Sequence, residues 1–378
     1  MLASVLPRVL VAAGMLPEAL RPFVWSDLYE TFVVRGLAGH HLPYWDVDFE
    51  YPPGMGYVAG LLSLLTSDAA LCLAGWGVVL AVSAGAAGYA LARAAGAART
   101  LRFWCVTPQM LLLSGANYDV LPTALVAGAV LAARAGHDVP SMLALGLGAA
   151  AKFFPAVCAP LVALRSWSRG RGRAARAAAV FVGALVGIYL PSLLAPRSSG
   201  TGLSFYAYDL GTGGGSVWGL ASAPLLGLGA DPVTLSLAIA IVSSAGLAVT
   251  YLFVVAPRAR SADPTGVFAL AMLAVLLWNR IYSPQYSIWV LPFFVLLPLK
   301  ASTFALLAVA DVAVFVGLYP LMLVRWPGGD ALGSALLALA AAGIVLRHAA
   351  LLLAWREVLS LVPKPPTLAL CTSVPRLR

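Results

Sequence analysis

Apolar runs separated by short polar or basic breaks follow one another along almost the whole chain. Such runs read as helices that cross a bilayer, for which about 20 apolar residues suffice. Threading spans through the polar breaks predicts an all-α integral membrane bundle of about twelve transmembrane helices. They fall near 3–22, 69–92, 103–116, 119–135, 140–151, 154–164, 177–195, 233–256, 265–279, 286–299, 301–321 and 331–355. Several are too short for a straight crossing, which predicts broken or membrane-thinning helices around a cavity. Two further apolar segments, 53–66 and 217–229, would each reverse the topology if they crossed. They are expected as helices lying in or against the outer interface. The glycine run "GTGGGS" at 211–216 follows no strand and reads as a flexible turn, not a phosphate-binding fingerprint.

Composition removes the soluble alternatives. The 378 residues are 61% hydrophobic and 10% charged, with a mean hydropathy of +0.91, against about 25% charged in ordinary globular domains. No stretch is polar enough for a separate soluble domain, so residues 1–378 read as one membrane domain, with 23–68 as a large outer loop. The net charge of +9 would suggest nucleic acid in a soluble protein. Here the arginines gather in short loops (Arg93, Arg99 and Arg102; "RSWSRGRGRAAR" at 165–176; "PRAR" at 257–260; the C-terminal tail). That is the positive-inside signature, so these loops are placed in the cytoplasm with both termini, and no nucleic-acid partner is expected. The N-terminal segment lacks a small-x-small cleavage site and reads as an uncleaved first span. Cys72, Cys105, Cys158 and Cys371 are too scattered for a disulfide framework or a metal knuckle.

Against this background residues 40–54, "HHLPYWDVDFEYPPG", stand out. Five of the fifteen acidic residues (Asp27, Glu30, Asp46, Asp48, Glu50) lie between positions 27 and 50, interleaved with Trp25, Tyr29, Tyr44, Trp45, Phe49 and Tyr51. Rings and carboxylates together suit a sugar site, and equally an aromatic belt at a membrane interface. The order of residues separates the two. "SDLYETFVVRGLAGHHLPYWDVDFEYPP" resembles the first-loop signature of the glycosyltransferase-C superfamily, most closely the family 87 polyprenyl-phosphate-mannose-dependent mannosyltransferases. "GANYDVLPTALVAG", "LGLGAAAKFFPAVCAPLVALR" and "NRIYSPQYSIWVLP" resemble later elements of that family, in the same order. The likeness runs from about residue 26 to about residue 300.

The resemblance implies a multi-pass enzyme of the cytoplasmic membrane with its active site on the extracytoplasmic face. It would move a sugar, mannose favoured, from a polyprenyl-phosphate donor to a glycolipid or glycan hydroxyl, with inversion. The acidic residue just past the first span, Asp27, would act as general base. Elementary chemistry asks for the same parts: a carboxylate in reach of the attacking hydroxyl and positive groups around the departing phosphate.

Each candidate carries a plainer reading as well. Asp27 and Glu30 also fit the start of a helix at "SDLYETF". Lys152, one of three lysines, suits the donor phosphate or snorkels to the interface. Arg280 and Arg35, on the outer side against the charge trend, bind phosphate or anchor helix ends, with Tyr282 and Gln285 lining the same pocket. Glu50, His41 and Tyr44 are candidates for sugar or acceptor, Glu50 otherwise opening a helix and His41, beside His40, otherwise lying at the surface. Asp119 binds a sugar hydroxyl or caps a helix; Asp209 is a weaker candidate. Asp311, inside an apolar run, is expected to pair with a cation across the bundle. No cofactor is required, although Asp46 and Asp48 in "DVD" have the spacing to share a divalent ion. A transporter or lipid flippase is the rival reading, since short broken helices and buried ions also suit alternating access. It would show two related halves, which this sequence lacks. A membrane scaffold is the third.

Overall fold

In a computed structural model the described residues are 2–17, 20, 24, 26–197, 213, 215–260, 263–323 and 331–362. They are helical, and their one β-type pairing is the isolated bridge between Pro43 and Val47. In chain order the α-helices are α1 (Leu2–Ala12), α2 (Asp27–Val33), α3 (Pro53–Leu65), α4 (Ala69–Ala95), α5 (Ala97–Thr100), α6 (Val120–Arg134), α7 (Asp138–Ala151), α8 (Ala159–Trp167), α9 (Arg171–Leu193), α10 (Val217–Gly227), α11 (Pro232–Thr250), α12 (Pro264–Trp278), α13 (Leu291–Leu296), α14 (Ala301–Leu323) and α15 (Ala331–Leu361). Tight 3₁₀ turns at Phe154–Cys158 and Pro284–Val290 lead into α8 and α13.

Local chemistry sets the helix ends. Ser26, Asp68, Ser216, Asp231 and Asp263 each accept a first-turn backbone N–H through the side chain, satisfying donors that a helix start leaves orphaned. Proline stands in the first turn of α3, α11 and α12, where its missing N–H does no harm. Three of the chain's fifteen carboxylates, Asp68, Asp231 and Asp263, are thus committed to capping.

Among the described residues, five helical stretches are long and apolar enough to cross a membrane: Ala69–Ala95, Arg171–Leu193, Pro232–Arg258, Ala301–Leu321 and Ala331–Leu361. They coincide closely with expected spans. The remaining apolar helices hold 10–17 residues, so the expected count of about twelve full crossings is not carried by helix length. The first expected span, 3–22, is corrected outright. Helix α1 stops at Ala12 because Gly14, at φ 70°, lets its own N–H reach Val11 O and that of Met15 reach Leu10 O, the Schellman termination. The span at 103–116 is two π-helical turns, Leu101–Cys105 and Gln109–Leu113, parted just before Pro108, which has no N–H to continue the ladder. The segments 53–66 and 217–229 form the short helices α3 and α10.

Short helices survive because protein surrounds them. Along α12 every residue from Pro264 to Ala274 is buried. Close packing of α14 on α15 relies on small residues: Gly317 lies against the Leu336–Ala340 backbone and Gly343 against that of Ala310 and Val314, a common solution between membrane helices.

The loops sort into two groups by what they touch. Arg99 donates to Phe294 O and Val295 O at 2.8 Å each. Asp138 takes Arg173 at 2.5 Å and Arg169 at 3.3 Å. Glu357 accepts the Lys300 N–H at 2.8 Å, and Arg258 donates to Val362 O at 2.8 Å. All belong to the Arg-rich end. The opposite group joins 26–27, 116–119, Lys152 and 280–289, and it holds the candidate site. The protein is a multi-pass membrane bundle, with the candidate site at the end away from the arginine-rich loops.

A methyl group at Gly343 would sit 2.9 Å from the Val314 backbone nitrogen. Gly343→Ala is therefore expected to lower stability by about 1–3 kcal/mol. Gly85→Ala, in α4 with nothing within 4 Å, should be neutral or mildly stabilising. Thermal unfolding of the two purified variants in one detergent checks the pair.

Candidate active site

The site starts at the Ser26–Asp27 step. Ser26 caps α2, accepting the Leu28 N–H at 3.2 Å, and donates its hydroxyl to Gly115 O at 3.0 Å. The Asp27 N–H bonds Ala116 O at 2.8 Å. Two residues thus stitch the first loop to the turn before α6. Because Ser26 does the capping, the Asp27 carboxylate is left for other work. It accepts from the Asn117 side-chain amide, whose own carbonyl is held by the Tyr118 N–H at 2.6 Å.

Asp27 is half-buried, among Phe32, Phe49, Tyr51, Trp76 and Tyr118. Burial pushes its carboxyl up to about 7. The Lys152 cation and the Asn117 amide pull it down, while Asp119 and Glu50 add to the rise. A carboxyl of that acidity is balanced between accepting and holding a proton near neutral pH.

Beside it lies a second, fully buried assembly. Lys152, at the end of α7, places its ammonium 2.8 Å from both carboxylate oxygens of Asp119, at the start of α6. The Trp289 indole N–H donates to Asp119 Oδ1 at 2.6 Å. Three rings surround the ammonium: Tyr286 at 4.9 Å, Tyr118 at 5.0 Å and Trp289 at 5.9 Å. Trp289 is stacked between Tyr286 at 4.2 Å and Phe154 at 3.9 Å. Tyr286 and Trp289 stack because Pro284–Val290 is a 3₁₀ helix, in which side chains three apart eclipse.

A cavity of about 360 Å³ opens against this assembly. Lys152, Arg280, Tyr286 and Trp289 line its polar side, and Leu247, Val275 and Trp278 continue it along α11 and α12. A cationic head with an apolar flank suits an amphiphile with an anionic group.

Other sequence candidates lie elsewhere. Arg35 and Glu50 form their own ion pair at 2.6 Å; burial raises the Glu50 carboxyl and Arg35 lowers it. Neither stands as a lone charge for a ligand. Tyr44 is withdrawn as a sugar platform. It is fully buried, its hydroxyl donates to Tyr51 O at 2.6 Å, and its ring packs on Phe49, Tyr57 and the bare backbone of Gly56. Tyr282 and Gln285 are buried too, and Tyr282 offers no face: Arg347 lies 3.7 Å over its ring and its hydroxyl meets Ser287 at 2.9 Å. Arg347 supplies the cation expected opposite Asp311, at 3.7 Å, with Gln109 and Ser287 completing the carboxylate's contacts. His41 is exposed against Gly39, and His40 Nδ1 lies 2.7 Å from Ser63 O. Asp46 closes a turn by accepting the Leu42 N–H at 2.7 Å, and among the described residues no group of three or more His, Cys, Asp or Glu is placed to hold a metal. Asp209 lies outside the described residues.

Comparison with known proteins adds the family. The model of glycosyltransferase family 87 matches residues 49–278, more than half of the chain. The chain belongs to glycosyltransferase family 87. It is a membrane glycosyltransferase, as the ordered motifs implied. The match contains Asp119 and Lys152, while Asp27, Arg280 and Trp289 lie outside it. Two crystal structures of ArnT from Cupriavidus metallidurans, one bound to undecaprenyl phosphate and one in the apo state, align over 94% of this chain. They are 18% and 17% identical, with 76% and 75% of their own length covered and a TM-score of 0.42 each. No curated protein matches the chain.

Asn117, Tyr118, Tyr286 and Trp289 complete the site without being candidates by sequence, although each falls in one of the family-like motifs. The three-residue spacing of Tyr286 and Trp289 was the available signal.

Removing one partner of the Asp119–Lys152 pair strands a buried charge, at a typical 3–5 kcal/mol. Asp119→Leu and Lys152→Met are each expected to destabilise by about that much, and the double variant by clearly less than their sum. A double-mutant cycle on detergent unfolding midpoints measures the coupling.

Proposed function

We propose that this family member moves a sugar, with mannose favoured, from a polyprenyl-phosphate donor to a hydroxyl of a glycolipid or glycan acceptor. The reaction is a single displacement with inversion, at the extracytoplasmic face of the cytoplasmic membrane. The observation that carries the reading is Asp27 itself: a half-buried carboxylate, relieved of capping by Ser26, aimed by Asn117 and raised to about 7.

Asp27 takes the proton of the attacking acceptor hydroxyl as that oxygen bonds the anomeric carbon. The bond from that carbon to the phosphate oxygen breaks, and polyprenyl phosphate leaves with its electron pair. Charge grows on the departing phosphate, so cations beside it stabilise the transition state more than the ground state. Lys152 and Arg280 are the cations of the cavity. Two of the three ammonium donors of Lys152 face Asp119, and three ring faces lie against the cation. The apolar flank along α11 and α12 would take the first part of the prenyl chain. No metal enters this scheme.

Asp27→Asn is expected to reduce sugar transfer from radiolabelled polyprenyl-phosphate-mannose at least about a hundredfold, and a chelator should leave the wild type unaffected. An equally active variant would remove Asp27 as base. Absence of transfer from this donor in the wild type would reject mannose and call for other lipid-linked sugars.

The base must be deprotonated to work, so wild-type rate should rise with pH through about 7 and level off above it. Asn117→Ala removes an amide that holds the carboxyl down, so the acid limb of its profile should move to higher pH. Initial rates across pH for both proteins test this shift.

A further inference from the structure

The end of the bundle away from the active site carries an apolar groove of about 510 Å³ between α8 and α9. Its walls are Pro160, Ala163, Leu164, Trp167, Ala174 and Ala178, and Arg260 stands at its edge. Trp167 is exposed, and the Arg171 guanidinium lies 5.6 Å from its ring. The hollow exists because α9 presents alanines over two turns where larger side chains would fill the space. From Arg171 to Ala178 it descends about 10 Å along the axis of a membrane-crossing helix. It therefore runs from headgroup level into the acyl region.

The charge around it is one-sided. Residues 160–180 and 256–262 contain Arg165, Arg169, Arg171, Arg173, Arg176, Arg258 and Arg260, and no acidic residue. The nearby carboxylates are occupied: Asp138 by Arg169 and Arg173, and Asp263 by the Thr265 N–H and hydroxyl at 3.2 Å each. Arg171 and Arg260 border the groove without being part of the Asp138 pairing.

We propose that this groove is a binding site for an anionic phospholipid of the leaflet at the Arg-rich end. One acyl chain lies along Leu164, Ala174 and Ala178, and the phosphate sits between Arg171 and Arg260. Basic pockets between membrane helices recognise acidic headgroups in this way, and each arginine near the surface contributes about a fivefold gain in affinity. A soluble acidic peptide would leave the apolar wall uncovered, and a neutral lipid would leave the arginines without a counter-charge. The site does not depend on the sugar-transfer reading.

Bromine quenching of tryptophan tests it. The full chain in neutral detergent micelles is titrated with phosphatidylglycerol or phosphatidylcholine, both brominated at the same acyl positions. Subtracting the signal of Trp167→Phe isolates this tryptophan from the other nine. Phosphatidylglycerol should quench Trp167 at a concentration at least tenfold lower than phosphatidylcholine. The exposed double variant Arg171→Gln/Arg260→Gln should bring the two lipids close to parity with an unchanged unfolding temperature. Ala178→Phe, which fills the groove, should abolish the quenching by both. Equal quenching by the two lipids in the wild type, or a preference that survives the double variant, overturns the proposal. Displacement by glycerol 3-phosphate alone would assign the rim to a soluble phosphate and overturn it equally.

Discussion

The buried ion pair of Asp119 and Lys152 is the constraint around which the active end is organised. Taking two charges out of water is costly, and their mutual attraction compensates only when geometry and further hydrogen bonds are good. Here both conditions are met: the ammonium faces both carboxylate oxygens at 2.8 Å, an indole N–H supplies another donor, and three ring faces replace the water around the cation. The pair lies between the start of α6 and the end of α7, and Trp289 brings in the 3₁₀ turn that precedes α13. Three helices meeting at one charged point have little freedom to slide past one another.

Asp27 depends on that arrangement although it does not touch the pair directly. Tyr118 sits between them, lining the pocket of Asp27 with one part and facing the ammonium with its ring. The turn 115–117 holds both the backbone and the carboxylate of the Ser26–Asp27 step. The acidity of Asp27 is a balance of burial against the Lys152 charge, so the same ammonium serves the fold, the base and the cavity. This economy is natural in a chain with few charges, where each buried one must be compensated locally.

The remaining carboxylates of the first loop answer why so many acids crowd there. Asp46 shapes a turn, Glu50 pairs with Arg35, and Glu30 belongs to the short helix that Asp27 opens. One carries the proposed chemistry and others build the loop that presents it. The aromatics divide similarly: Tyr44, Phe49 and Tyr51 form a packed edge-to-face cluster, and the rings that surround a charge come from later in the chain.

Periodicity and composition were enough to establish a helical membrane protein, the long spans α4, α9, α11, α14 and α15, and which loops share an end. These follow from hydrophobic matching and charge asymmetry, which are properties of segments. The family, too, was legible in the order of short motifs. Pairings were not. Nothing local marks Asp119 as the partner of Lys152, Arg347 as that of Asp311, or Arg35 as that of Glu50, because each joins residues brought together by helices packing, and the sequence holds more cations than any carboxylate needs. Nor could spacing alone show that Ser26, and not Asp27, caps α2, or that Pro284–Val290 winds as 3₁₀ and stacks Tyr286 on Trp289. The hydrogen bond that frees a carboxylate and the single 3₁₀ turn that aligns two rings depend on backbone geometry to within an ångström, and tertiary contacts alone settle geometry at that scale.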